Sequence, residues 1–127
     1  MTNQIWLDEY KQWNIESTIT LPDEQTSLLD FWDNSFNKFQ QRNAFIFADK
    51  SFSYAEIDLY SRQVATFLQS LGLEKGTRVA VMMPNIIQYP IISLAVIRAG
   101  YILVNINPLY TARELKHQLN DAGAKVL

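Results

Sequence analysis

The feature that most constrains this chain is the regular alternation of short apolar runs and helical patterns in its second half. Val79-Ala80-Val81-Met82-Met83 is an apolar run of strand type, and Pro84-Asn85 punctuates it. An apolar helical pattern follows from Ile86 to Ala99, and Gly100 stops it. Ile102 to Ile106 forms a second β-rich run, ended by Asn107-Pro108. Thr111-Ala112-Arg113-Glu114 then reads as a capping box, in which the threonine and glutamate side chains satisfy opposite orphan N–H groups of a new helix. That helix carries Leu115, Leu119 and Ala122 to Gly123, and Lys125-Val126-Leu127 opens a third strand. Strand, helix, strand, helix, strand with short connections predicts a parallel sheet with right-handed crossovers.

Upstream, Thr26 or Ser27 starts a helix whose Leu29, Trp32, Phe36 and Phe39 recur at three or four residues, the spacing of a single buried stripe. Asn43 is expected to end it. Ala44 to Ala48 and Lys50-Ser51-Phe52 are β-prone runs joined through Asp49, which predicts a hairpin. Ser53-Tyr54-Ala55-Glu56 is a second capping box, and its helix shows Ile57, Tyr60, Val64, Phe67, Leu68 and Leu71 on one face. Gly72 fits the left-handed position after that helix. The expected fold class is α/β: a partial parallel sheet of alternating strands and helices, preceded by a helix and a short β-hairpin. Residues 1–26 read as an N-terminal extension, the least regular part, with Ile5-Trp6-Leu7, Tyr10 and Trp13 as apolar islands that pack onto the surface. A sharper alternative makes those aromatics a dimer contact or a membrane-surface anchor.

Charge and composition exclude several function classes. A formal charge of -2 leaves no electrostatic footprint for nucleic acid. With no cysteine in the chain, thiol nucleophiles, disulfides and thiolate metal sites are ruled out. The most apolar stretch, Ile86 to Ile97, is shorter than the roughly 20 residues a bilayer span needs and contains Gln88, Pro90 and Ser93. No basic-then-apolar leader follows Met1, so no secretory signal is read there.

In open α/β sheets, ligands gather beyond the carboxyl ends of the strands. Here those ends are Met83-Pro84-Asn85 and Asn105-Ile106-Asn107-Pro108. A phosphate-binding loop would need glycines there, and the proline removes one donor, so neither loop reads as a dinucleotide or P-loop site. Asn85 is instead expected to cap the following helix, with Pro90 either kinking that helix or beginning its regular part. His117, the lone histidine, reads as a solvated group on a polar helix face, Glu114 as a capping residue and Asp121 as helix-end surface. No carboxylate pair has metal-binding or acid–base spacing.

Two stretches carry a resemblance. Phe52-Ser53-Tyr54-Ala55-Glu56-Ile57 resembles the first core motif of the adenylate-forming (acyl-adenylating) enzymes, and Ile97-Arg98-Ala99-Gly100-Tyr101-Ile102-Leu103-Val104-Asn105 their second. Within that superfamily, Asn105 to Thr111, Arg113-Glu114-Leu115 and His117 to Ala124 resemble the bacterial long-chain fatty-acid–CoA ligases, and Met82 to Asn85 and Gln88-Tyr89-Pro90 add to the match. The resemblance implies an ATP-dependent, magnesium-using enzyme that converts a fatty acid to an acyl-adenylate and passes the acyl group to coenzyme A. Such enzymes are commonly homodimers in the cytoplasm, at the inner face of the membrane. It further implies that residues 27–127 are the N-terminal portion of a large AMP-binding domain. The family's Ser/Thr/Gly-rich phosphate loop, its Tyr-Gly-x-Thr-Glu motif, its acidic ribose-binding residue and its C-terminal lysine have no counterpart in these residues. Catalytic, cofactor-binding and metal residues are therefore each expected to be none. Because the chain stops inside a strand pattern at Leu127, it is expected to be an N-terminal fragment, inactive alone. A flavodoxin-like nucleotide-binding module and a non-enzymatic dimerisation or interaction module are the rival readings.

Overall fold

The computed structural model describes residues 5–15 and 27–127. Its elements run α1 (Ile5–Gln12), α2 (Leu28–Phe39), β1 (Asn43–Phe47), β2 (Lys50–Ser53), α3 (Tyr54–Ser70), β3 (Arg78–Met82), α4 (Gln88–Arg98), β4 (Ile102–Ile106) and α5 (Ala112–Ala122). The N-terminal islands, expected to be irregular, form a helix with Asp8 in its first turn and Lys11 in its last, each placed favourably for the helix dipole. Trp13 follows in a turn and is 69% exposed rather than packed down.

Three helix starts among the described residues are chemically explicit. Ser53 accepts a hydrogen bond from the Glu56 N–H while the Glu56 carboxylate accepts from the Ser53 N–H, and Thr111 and Glu114 do the same for α5. A third box, Ser27 with Asp30, starts α2; aspartate at the third position does the work usually assigned to Glu or Gln. The helix ends at Phe39, and Asn43, expected to terminate it, is instead the first residue of β1. The β1–β2 hairpin turns through Ala48 and Asp49, both at positive φ (46° and 65°), the pairing a two-residue primed turn demands.

β3 and β4 pair in parallel, Arg78 to Met82 against Ile102 to Ile106. The expected third strand is present only as a parallel bridge of Val126 to Val79, with the Ala80 N–H donating to the Val126 carbonyl at 2.8 Å. It lies on the side of β3 away from β4, since Val79 also pairs with Leu103. Gly100 makes the α4-to-β4 turn: its φ of 84° suits a residue without Cβ, and its carbonyl accepts the Gly76 N–H at 2.9 Å.

The core has two centres. Ala65, Leu68, Val79, Val81, Ala95, Val96 and Tyr101 pack where α3 and α4 meet the parallel strands. Phe36, Ile57, Ile87, Ile91 and Leu94 pack where α2 crosses α3 and α4. On α3 the buried line is Ile57, Ser61, Ala65 and Leu68. Tyr60, Phe67 and Leu71, expected on the buried face, are exposed (37%, 61% and 44%). Small residues explain the shift: Ser61 and Ala95 are fully buried, so α3 and α4 approach closely along that line and push the bulkier side chains to its flank. Ser61 satisfies its hydroxyl within α3, on the Asp58 carbonyl at 2.9 Å.

Candidate functional site

The carboxyl ends of β3 and β4 lie side by side, Met82 opposite Ile106, so the two loops named from sequence leave the sheet next to each other. Asn85 does not cap α4. The N-cap is Ile87, with no side-chain hydrogen bond, and the helix starts at Gln88. Pro90 sets this boundary: as the third helical residue it falls in the first turn, where its missing N–H has no carbonyl to reach. Met83 to Ile87 are consumed by a turn in which the Ile86 N–H donates to the Pro84 carbonyl at 2.8 Å.

Neutral polar groups tie the end of β4 to the helices on either side of it in the chain. The Tyr89 hydroxyl donates to Asn105 Oδ1 at 2.9 Å, and Gln118 Nε2 donates to the Asn105 carbonyl at 3.0 Å. One asparagine at the end of β4 thus ties the start of α4 to the middle of α5. Asn107 Oδ1 accepts the Leu109 N–H at 3.0 Å and its carbonyl accepts the Tyr110 N–H at 3.1 Å, folding the loop back and leaving Leu109 87% exposed. Gln118 Oε1 is buried with no partner among the described residues.

His117 is exposed on α5, in a depression of about 530 Å³ shared with Tyr110, Arg113, Glu114, Gln118 and Asp121. Hydrogen bonds from the Thr111 hydroxyl and N–H hold the Glu114 carboxyl below its ordinary pKa, which fixes it as a capping anion. Asp121 is surface, as expected. Among the described residues no group of three or more His, Cys, Asp or Glu is placed to hold a metal ion. In the loop after β3 the Ile86 N–H is already bonded to the Pro84 carbonyl and Pro84 has no N–H to offer, so that loop presents fewer backbone donors than a glycine-rich phosphate loop would. What the arrangement can do is hold two loops at fixed spacing.

Two constellations escaped sequence reading. The Tyr89–Asn105–Gln118 tie joins residues whose side chains say nothing about partners 13 and 16 positions away. The other is an ionic ring of Arg98, Asp58, Arg62 and Asp33 that joins α2, α3 and α4. Its signal was present: Arg98 is the single charge in the apolar run from Ile86 to Ala99, and a charge there needs a partner.

A parallel pair with helical crossovers and a hairpin before it in the chain define an α/β scaffold with loops free of glycine at the carboxyl edge of the pair. The chain belongs to the AMP-binding enzyme family, whose model matches residues 32–127. It is 42% identical over 125 residues to a long-chain-fatty-acid–CoA ligase of Escherichia coli O157:H7, covering 98% of this chain and 22% of that protein. A protein of the same description from Bacillus subtilis (strain 168) is 39% identical over 122 residues, 96% of this chain and 21% of the relative. Among solved structures, the N-terminal subdomain of Klebsiella oxytoca NpsA in complex with anthranilyl-AMSN superposes with a TM-score of 0.75 at 28% identity, over 78% of this chain and 26% of that one. The chain therefore spans about a fifth of the length of the curated relatives it matches.

Proposed function

We propose that this chain is the N-terminal portion of an ATP-dependent, AMP-forming long-chain fatty-acid–CoA ligase. Residues 1–26 serve as an extension and 27–127 as part of the large AMP-binding domain. The observation that carries the reading is identity of about 40% along nearly the whole chain to relatives described as such ligases. In the reaction, a carboxylate oxygen of the fatty acid attacks the α-phosphorus of ATP and pyrophosphate leaves. The thiolate of coenzyme A then attacks the acyl carbonyl and AMP leaves. Magnesium offsets the phosphate charge when bound, and residues outside this chain would hold it.

These residues contribute support. The Tyr89–Asn105–Gln118 tie fixes the carboxyl end of β4, and the Tyr101 hydroxyl anchors its start by donating to the Leu68 and Leu73 carbonyls at 3.3 and 3.4 Å. A cytoplasmic location, with contact at the inner membrane face and pairing of two copies, belongs to the same reading. The test is an assay of the full-length polypeptide that carries this chain, with palmitate, ATP, magnesium and coenzyme A. Coupled appearance of AMP, pyrophosphate and palmitoyl-CoA supports the reading. Adenylation of other carboxylates, with palmitate untouched, would replace the substrate class; ATP left intact with every acid would reject the reading.

A further inference from the structure

Arg98 is the last residue of α4, and only 7% of its side chain is exposed. Its Nη2 reaches Asp33 Oδ1 on α2 at 2.9 Å and also contacts Asp58 Oδ1 on α3. Arg62 closes the circle from the solvent side, Nε to Asp58 Oδ2 at 2.9 Å and Nη2 to Asp33 Oδ1 at 3.3 Å. Two arginines and two aspartates alternate around a ring that spans three helices. The Arg98 guanidinium also sits 5.5 Å from the centre of the Phe36 ring of α2.

The two ends of α2 are held differently. Its C-terminal end runs into the hairpin and is pinned by backbone bonds, the Ala55 N–H to the Gln40 carbonyl at 3.1 Å and the Tyr54 N–H to the Arg42 carbonyl at 3.0 Å. Phe39 adds a ring contact with Tyr54, centroids 5.9 Å apart. The N-terminal half leaves Leu28 and Phe31 more than half exposed and borders an apolar groove of about 580 Å³ against Pro90, Ser93 and Ile97 of α4. Among the described residues, every side-chain hydrogen bond or ion pair from α2 to α3 or α4 runs through Asp33.

We propose that the first two turns of α2 are a hinged strap, pivoting about Phe36, which stays packed against Ile57, Ile91 and Leu94, and latched over the groove by the four-charge ring. The ring has the asymmetry a latch needs. Stranding a buried arginine is costly, but Asp58 pairs with both arginines, so lifting Asp33 away leaves neither charge alone. Asp33 is itself 40% exposed, so its share of the ring is the part that water and salt weaken. Release of α2 is then a local opening, separate from loss of the α3–α4 packing.

Residue-level hydrogen exchange on the full-length polypeptide tests this. The amides of residues 31–35 should exchange through an opening that leaves the buried lines of α3 and α4 protected. Asp33→Asn should speed that exchange about tenfold with α3 and α4 unchanged, and sodium chloride at about 1 M should act in the same direction. Arg98→Met could destabilise the whole α3–α4 unit, so Arg62→Met is the second variant. It trims only the exposed limb and should speed α2 exchange by a smaller factor. Exchange of α2 at the same rate as α3 and α4 in every variant would overturn the strap, as would an Asp33→Asn effect shared equally by all three helices.

Discussion

Ser53 shows how much a single residue specifies. Its hydroxyl accepts the Glu56 N–H, and its own N–H and hydroxyl both donate to the Glu56 carboxylate, at 2.7 Å each. Those two donors, the backbone one foremost, lower the Glu56 pKa below its ordinary 4.5. The carboxyl is depressed in the folded chain, so its contribution is complete above the unfolded value. It is lost as pH falls through the lowered folded value. Ser53→Ala should lower the melting temperature by about 4 °C at neutral pH. The gap between variant and wild type should narrow in acid, below the ordinary glutamate range, when thermal melts of dilute protein are followed by circular dichroism. A gap that widens in acid would show that the carboxylate is not the partner. Asp30 and Glu114 are lowered by the same bonds to Ser27 and Thr111, so all three helix starts weaken together in that range.

At the scale of elements, the hairpin carries strain that can be relieved. Ala48 and Asp49 hold positive φ values that β-carbons disfavour, whereas asparagine followed by glycine is the preferred pair for such a turn. Replacing both, Ala48→Asn with Asp49→Gly, should stabilise the chain by about 1 kcal/mol without moving the register of β1 on β2, as read from urea midpoints and cross-strand amide contacts. A loss of stability would show that Ala48 or Asp49 holds a contact beyond the turn. The turn's place was legible to within a residue: Asp49 stands between two β-prone runs, while Ala48, which reads as the end of the first, is the other half of the turn. The boundaries of β3, β4 and α5 were legible for the same kind of reason, a glycine, proline or capping box at each. The start of α4 was not. Asn85 is a good capping residue by type, but Pro90 admits a helix only from about its own turn onward, and that local constraint outweighed the cap. The face of α3 was half legible: Ile57 and Leu68 are buried as the pattern predicts, but Ser61 is fully buried and Phe67 exposed, because hydrophobicity ranks phenylalanine above serine while close helix packing ranks by size.

Across the whole molecule, the fold class was readable from periodicity and the family from two short motifs. The ties between elements were not, because ion pairs and side-chain hydrogen bonds between distant segments leave no period. Burial tells a related story. The underside of β3 meets Phe67, Leu71 and Ile92 in a second open apolar groove of about 580 Å³, and Phe31, Ile46 and Leu109 also face solvent. Apolar area of this extent on a chain with a formal charge of only -2 has little electrostatic repulsion to oppose association. Residues 1–127 produced alone should therefore self-associate without a fixed stoichiometry. The mass from light scattering should climb steadily with concentration, most steeply near the sequence pI of about 5.3, where repulsion vanishes. Sulfate should steepen the climb, because it strengthens apolar burial, while urea below the unfolding midpoint should flatten it. A plateau at twice the chain mass would instead mean one self-complementary face closing a two-fold pair, which would revive the reading of this region as a dimerisation module. A constant monomer mass throughout would mean that the exposed apolar side chains are too dispersed to act as a surface.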